Sequence, residues 1–259
     1  MENKDDITQN RQNKVLELIK IFDEVCKKHN IWYTLTSGSV LGAIRHSGFI
    51  PWDTDMDVFV KNGDMEKLRT TLLSDLPKEI RLHIRGREPG YHPAFDRLSF
   101  NSIPHEIVHV DIFPLIGAPS SEKERRRFTK RCFNTYRVLR WKHINTAFFT
   151  KRKNPVMRLL KAMAIALIKA MMYLVPDRFI CYMYTSLENK YNFDDAEYVY
   201  TIGSAYGFKE CLPKSVIMDS IFVPFEDTIL PVPREYHVYL TSVYGDYMTP
   251  RRENYKGFS

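Results

Sequence analysis

Apolar residues recur at helical spacing early in the chain. Val15, Leu18, Ile19, Phe22, Val25 and Cys26 fall on one stripe, which predicts an amphipathic helix from Gln12 to Lys28 with that stripe on the core. Asn30 ends it. Ile31 to Thr36 is rich in β-branched and aromatic residues and reads as a strand leading into Gly38. Ser37 or Ser39 is placed to cap a short helix, Val40 to His46, and Ser47-Gly48 supplies its stop. A strand is then expected from Phe49 to Val60, followed by an Asn62-Gly63-Asp64 turn and N-cap, and a helix from Met65 to Leu76 before Pro77.

Shorter strand patterns lie at Ile80 to Ile84, Asp96 to Phe100 and Ile107 to Phe113. The last alternates, with His109 and Asp111 on one face and Val108, Val110 and Ile112 on the other. This order of elements predicts an α/β (α+β) fold, a mixed sheet flanked by helices. After Pro119 the pattern becomes basic and helical. Met157 to Val175 follows, dominated by residues such as Leu159, Leu160, Met163, Leu167 and Met171 and interrupted by Arg158, Lys161 and Lys169. Its uncharged stretches fall short of the roughly 20 apolar residues that span a bilayer. It is expected to pack in the core or against a second copy; lying in a membrane interface is the alternative. The tyrosines beyond Asp177 are expected to be mostly structural.

With 259 residues, 44% of them hydrophobic, the chain can build one large domain with a sizeable core. Met1 to Asn10 is polar and lacks an apolar h-region, which predicts a cytoplasmic protein. Cys26, Cys132, Cys181 and Cys211 form no C-x-x-C pair, so buried reduced thiols are expected rather than disulfides or a zinc site. The net charge of +7 is uneven. Lys123, Arg125, Arg126, Arg127, Lys130, Arg131, Arg137, Arg140, Lys142, Lys151, Arg152 and Lys153 crowd one region, which is either a solvated helix face or a surface for anionic partners.

The candidate chemistry lies between Ser37 and Val60. Asp53, Asp55 and Asp57 occupy every second position of the expected strand, so their carboxylates converge while Thr54, Met56 and Val58 face away. Like charges this close raise one another's pKa unless a cation neutralises them, and all-oxygen donors select Mg²⁺ or Mn²⁺. Asp55 and Asp57 are the expected ligands. Asp111, on another strand, completes the set or acts as general base. Asp53 is either a further ligand or a residue that caps and orients the strand after Pro51-Trp52. Gly38 and Ser39 open a helix, where backbone N–H groups and the helix dipole can hold a phosphate. Arg45 and His46 either reach that phosphate or complement the helix C-terminus. His109 reads as a structural residue. A phosphate site beside a metal site predicts metal-assisted phosphoryl chemistry.

These residues carry a resemblance. SGSVLGAIRHSGFIPWDTDMDVFV, from Ser37 to Val60, resembles the signature of the LicD family, which includes the fukutin-related proteins and belongs to the nucleotidyltransferase-like superfamily. The resemblance extends to HVDIFPLIGAP at His109 to Pro119 and to FEDTILPVPREYHVYLTSVYGDYMTP at Phe225 to Pro250. It implies one catalytic domain over residues 1–259, with a nucleotidyltransferase-like core over about 31–119, a basic helical insertion over about 120–210 and a C-terminal family block over about 211–259. Gly38 and Ser39 match the superfamily's Gly-Ser position, Asp55 and Asp57 its metal pair, and Asp111 its third carboxylate. Thr54 stands where relatives commonly carry an acidic residue; facing away from the metal, it is expected to matter little.

The activity implied is transfer of a phosphorylated group, typically phosphocholine from CDP-choline and in some relatives glycerol or ribitol phosphate, onto a sugar of a surface glycan such as lipopolysaccharide, teichoic acid or capsule. CMP would leave. The implied partners are a CDP-linked donor and a glycan acceptor that can be lipid-linked; the Lys123 to Lys153 basic region adds peripheral association with an anionic membrane at its inner face as a hypothesis, and no nucleic acid is expected. Three rivals stand beside this reading: a glycosyltransferase using Asp55-Met56-Asp57 as a D-x-D motif, a true nucleotidyltransferase, and a non-catalytic binding module.

Overall fold

The computed structural model describes residues 4–88, 91, 93–143 and 155–249. Helix α1 (Lys4–Lys28) begins before the expected Gln12, since Asp5 and Asp6 in its first turn and Lys27 and Lys28 in its last complement the helix dipole. Its stripe of Val15, Leu18, Ile19 and Phe22 is fully buried, as the periodicity requires. Then come β1 (Tyr33–Leu35), α2 (Ser37–His46), β2 (Asp55–Lys61), α3 (Met65–Asp75), β3 (Ile80–His83), β4 (Asp96–Phe100) and β5 (His109–Ala118). The helical stretch comprises α4 (Glu122–His143), α5 (Pro155–Tyr173) and α6 (Asp177–Glu188). The chain closes through β6 (Tyr198–Thr201), β7 (Leu212–Pro213), α7 (Lys214–Met218), β8 (Ser220–Phe225), β9 (Thr228–Pro233) and α8 (Tyr236–Tyr244).

The mixed α/β fold expected from the pattern is the one observed. The main sheet runs β1-β2-β5-β4-β3, with β2 and β5 parallel and the other pairs antiparallel. On the β4 side, the Leu115–Ala118 end of β5 pairs with β6, which pairs in turn with β7. A second, two-stranded sheet is the β8-β9 hairpin. Strand β5 is buried almost throughout, as a central strand covered on both faces must be. One core lies between α1, α2, α3 and the main sheet. A second joins Phe128 and Cys132 of α4 and Ile180 and Tyr184 of α6 to Ile116 of β5 and Tyr200 of β6. The four cysteines are free thiols, Cys181 half-buried and the others buried.

The structure departs from the sequence pattern at three places. Strand β2 starts at Asp55, not Phe49, because residues 49–54 are held as an irregular segment: the Gln12 side-chain amide donates to the carbonyls of Ile50 (3.2 Å) and Asp53 (2.9 Å). Neither Ser37 nor Ser39 caps α2; both lie within it, and Thr36 is the N-cap. The expectation that α5 packs in the core is overturned. Ile165 is buried, but Leu159, Leu160, Met163 and Leu167 are between 56% and 63% exposed. The reason is that α4 and α6 already cover the sheet beside β6, and none of the described α5 side chains belongs to that core. Among the described residues no helix is long and apolar enough to cross a membrane. Lys151, Arg152 and Lys153 lie outside the described residues.

Candidate active site

Parallel pairing of β2 with β5 sets Asp55 opposite His109 and Asp57 opposite Asp111. Side chains at paired positions share a face, so two strands far apart in sequence deliver three carboxylates and an imidazole to one end of the sheet. Met56 and Val58 are buried on the opposite face. Asp53 lies just before the strand rather than on it, yet it hydrogen-bonds with Asp55 and so joins the group.

The turn that opens α2 is tied to the acidic strand by its backbone. The Thr36 N–H donates to the Asp57 carbonyl (3.0 Å), and the Asp57 N–H donates to Ser39 Oγ (2.8 Å). Ser39 is therefore a brace between α2 and β2. A Cβ on Gly38 would stand 3.0 Å from the Asp53 carboxylate, so the absent side chain lets that carboxylate approach the helix N-terminus. Gly38, Ser39, Asp53 and Asp55 line one crevice. At the far end, Ser47 takes the left-handed conformation (φ 53°), and its N–H and that of Gly48 return to the carbonyls of Ala43 and Gly42. This return brings Gly48 so near that a Cβ on Gly42 would lie 2.5 Å from its carbonyl oxygen. Arg45 and His46 sit at this C-terminal end, opposite Gly38 and Ser39; Arg45 donates to the Tyr247 carbonyl (3.0 Å) and to His46 Nε2 (2.9 Å).

Four residues that hold the candidate site together escaped sequence reasoning. Arg97 of β4 forks onto Asp111, Nε to Oδ1 at 2.6 Å and Nη2 to Oδ2 at 2.9 Å, with both residues buried. Glu210, also buried, accepts from the Tyr239 hydroxyl (2.7 Å), which in turn accepts from the Ser37 N–H (2.9 Å). Glu226, in the β8-β9 turn, accepts from the Phe49 N–H (3.0 Å), and its own N–H donates to the Ser47 carbonyl (2.8 Å), buttressing the loop after α2. No local pattern announces these partners, since each comes from a distant strand or turn. For Arg97 alone there was a local sign, a cation within a strand whose five residues are all buried.

Electrostatics set the site apart. Removal from water, then the charges of Asp55, Asp111, Asp53 and Glu210, hold the Asp57 carboxyl well above the usual range. Burial and the neighbouring Asp55 push Asp53 up to about 8. Burial alone would raise Asp55 too, but hydrogen bonds with His109 and Asp53 outweigh it and bring it down to about 2. His109 Nε2 lies 3.5 Å from Asp55 and 3.7 Å from Asp111, while its buried Nδ1 has no hydrogen-bond partner among the described residues.

Among the described residues no three His, Cys, Asp or Glu side chains close on a common point as a finished ion site. The fit to a metal is one of donor chemistry: several mutually repelling carboxylate oxygens, with Arg97 paired to Asp111, match a hard divalent cation.

A family model described as LicD/FKTN/FKRP, nucleotidyltransferase domain, matches residues 30–156, a span that contains α2, β2 and β5. The lipopolysaccharide cholinephosphotransferase LicD of Haemophilus influenzae is 26% identical over 255 residues, 93% of this chain and 91% of that protein. Shorter similarities link the chain to uncharacterised proteins of Rickettsia typhi, 38% identical over 58 residues, and Rickettsia prowazekii, 41% identical over 56 residues. The first covers 22% of this chain and 19% of its relative, the second 22% and 21%. With the family's domain spanning the braced turn and the paired carboxylates, and similarity to a LicD protein running nearly end to end, the chain belongs to the LicD family.

Proposed function

We propose that this protein transfers phosphocholine from CDP-choline to a sugar hydroxyl of a cell-surface glycan such as lipopolysaccharide, teichoic acid or capsule, releasing CMP. The observation that carries the reading is the hydrogen-bonded brace that fixes the Gly38-Ser39 turn beside Asp55, Asp57 and Asp111. The name of the Haemophilus relative supports the choice of phosphocholine and of a lipopolysaccharide-like acceptor.

In this reaction the sugar oxygen forms a bond to the β-phosphorus, the bond from that phosphorus to the CMP oxygen breaks, and the hydroxyl's proton passes to a base. Asp55 and Asp57, with Asp111 and Asp53 beside them, would hold Mg²⁺ or Mn²⁺, whose chemistry is neutralisation of charge on the diphosphate. Gly38 lets the Asp53 carboxylate approach the start of α2, and Ser39 keeps that turn in register with Asp57. Asp111 completes the ligand set or takes the proton, since each of its oxygens keeps a second lone pair while accepting from Arg97. Positioning and electrostatic stabilisation supply most of the catalysis.

The test is CMP release by purified protein from CDP-choline, CDP-glycerol and CDP-ribitol, with and without Mg²⁺, beside an Asp55→Ala variant. Release from CDP-choline that requires both metal and Asp55 is the expected result. Release from an alditol donor instead would keep the class and change the group transferred. UDP release from a nucleotide-sugar, or pyrophosphate from a nucleoside triphosphate, would replace the reading.

A further inference from the structure

The exposed side of α4 presents Arg127, Lys130, Arg131 and Asn134 at helical spacing, away from the buried stripe of Phe128, Cys132 and Leu139. With Val138 and with Met183 of α6, these residues border an open groove of about 400 Å³. Arg126 pairs with Glu122 and Lys142 with Asp177, but Arg127, Lys130 and Arg131 have no ion-pair partner among the described residues. The apolar end of the groove runs on along α6, where Phe179 and Tyr182 share the face of Met183 and are 52% and 69% exposed. Helix α5 packs on α4 and adds Met163, Leu167 and Met171, each more than half exposed.

Exposed apolar area of this extent beside unpaired cations calls for a cover that satisfies both. An apolar helix from a partner would leave the cations unmatched. A second copy seated on the same face about a two-fold axis would bring like charges together. An anionic lipid surface matches each part: phosphates meet the cations, acyl chains meet the apolar side chains, and Tyr182 stands between. Since no described helix is long and apolar enough to cross a bilayer, the contact lies in the plane of the membrane.

We propose that the α4–α6 face docks this protein on an anionic lipid bilayer, with headgroup phosphates in the Arg127-Lys130-Arg131 groove and the exposed side chains of α5 and α6 in the acyl boundary. The proposal is independent of which group the enzyme transfers.

Co-sedimentation of the full chain with vesicles of phosphatidylglycerol and phosphatidylcholine, against vesicles of phosphatidylcholine alone, tests it. Binding to the anionic vesicles is expected, weakened by salt but not abolished. An Arg127→Glu, Lys130→Glu, Arg131→Glu variant should bind them about 100-fold more weakly, given roughly fivefold per cation at the surface. A Leu167→Asp, Met171→Asp variant should lose the salt-resistant part, with circular dichroism unchanged in both. Absence of binding to anionic vesicles at low salt, or binding unaltered by both variants, would overturn the proposal. So would a stable dimer in solution that dissociates in the Leu167→Asp, Met171→Asp variant without any vesicle binding, which would make a second copy the occupant.

Discussion

The carboxylates of β2 and β5 and the cations of α4 are both clusters of like charge, and they are held in opposite ways. Around Asp57 and Asp111, groups are wholly or partly withdrawn from water and fixed by partners from β4, the Gly207–Glu210 turn and α8. Along α4, Arg127, Lys130 and Arg131 stand in solvent with no ion-pair partner among the described residues, on the side of the helix away from its buried stripe. Charges that do chemistry must be placed to within a fraction of an ångström, so the fold constrains them from several sides. Charges that meet a fluid surface need only occupy one face.

That contrast can be broken or sharpened by substitution. The largest effect is expected at Asp55. Asp55→Ala should lower CMP release on the order of 10³-fold, as loss of a key electrostatic group does, with little change in the thermal midpoint, because the repulsion of Asp53 and Asp57 that it relieves offsets the hydrogen bonds with His109 and Asp53 that it removes. Parallel activity and thermal-unfolding measurements check both parts; a fall in both together would mean that Asp55 is structural.

Arg97→Met should destabilise the fold by about 3 kcal/mol, because it strands the buried Asp111 carboxylate without its fork. Urea unfolding reads this directly, and a loss below about 1 kcal/mol would show that Arg97 is dispensable to the scaffold. Gly42→Ala should cost about 1–3 kcal/mol through the clash with the Gly48 carbonyl, again by urea unfolding. The smallest effect belongs to α4: Arg127→Glu, Lys130→Glu and Arg131→Glu, made singly, should each change stability by no more than about 0.5 kcal/mol, in the same assay. A large loss there would show the cations to be part of the fold rather than a surface.

How much could be read in advance differs in the same way. The α1 stripe, the Asp96–Phe100 strand and the shared face of His109 and Asp111 were legible because each is a local periodicity, and periodicity follows from backbone geometry alone. Asp53 and Asp55 do meet, although they were expected on a longer strand; the Gln12 amide, reaching from α1, decided that the chain enters β2 later. Arg45 and His46 followed Gly38 closely in sequence, but ten residues of helix carry them to the other end of α2. The α5 stripe looked like core, and a pattern of side chains cannot report that α4 and α6 have already taken the space it would fill.

By itself, then, the amino-acid order determined which residues could carry charge to a metal or a phosphate, and on which face of which element, since spacing along a helix or strand sets direction. Tertiary structure alone decided that Asp57 faces Asp111, that Arg97 holds Asp111, that Tyr239 and Glu210 brace the start of α2, and that Glu226 supports the loop behind it. Those choices depend on strand register and on contacts between segments more than 170 residues apart, as for Ser37 with Glu210 or Tyr239, and no local pattern encodes them.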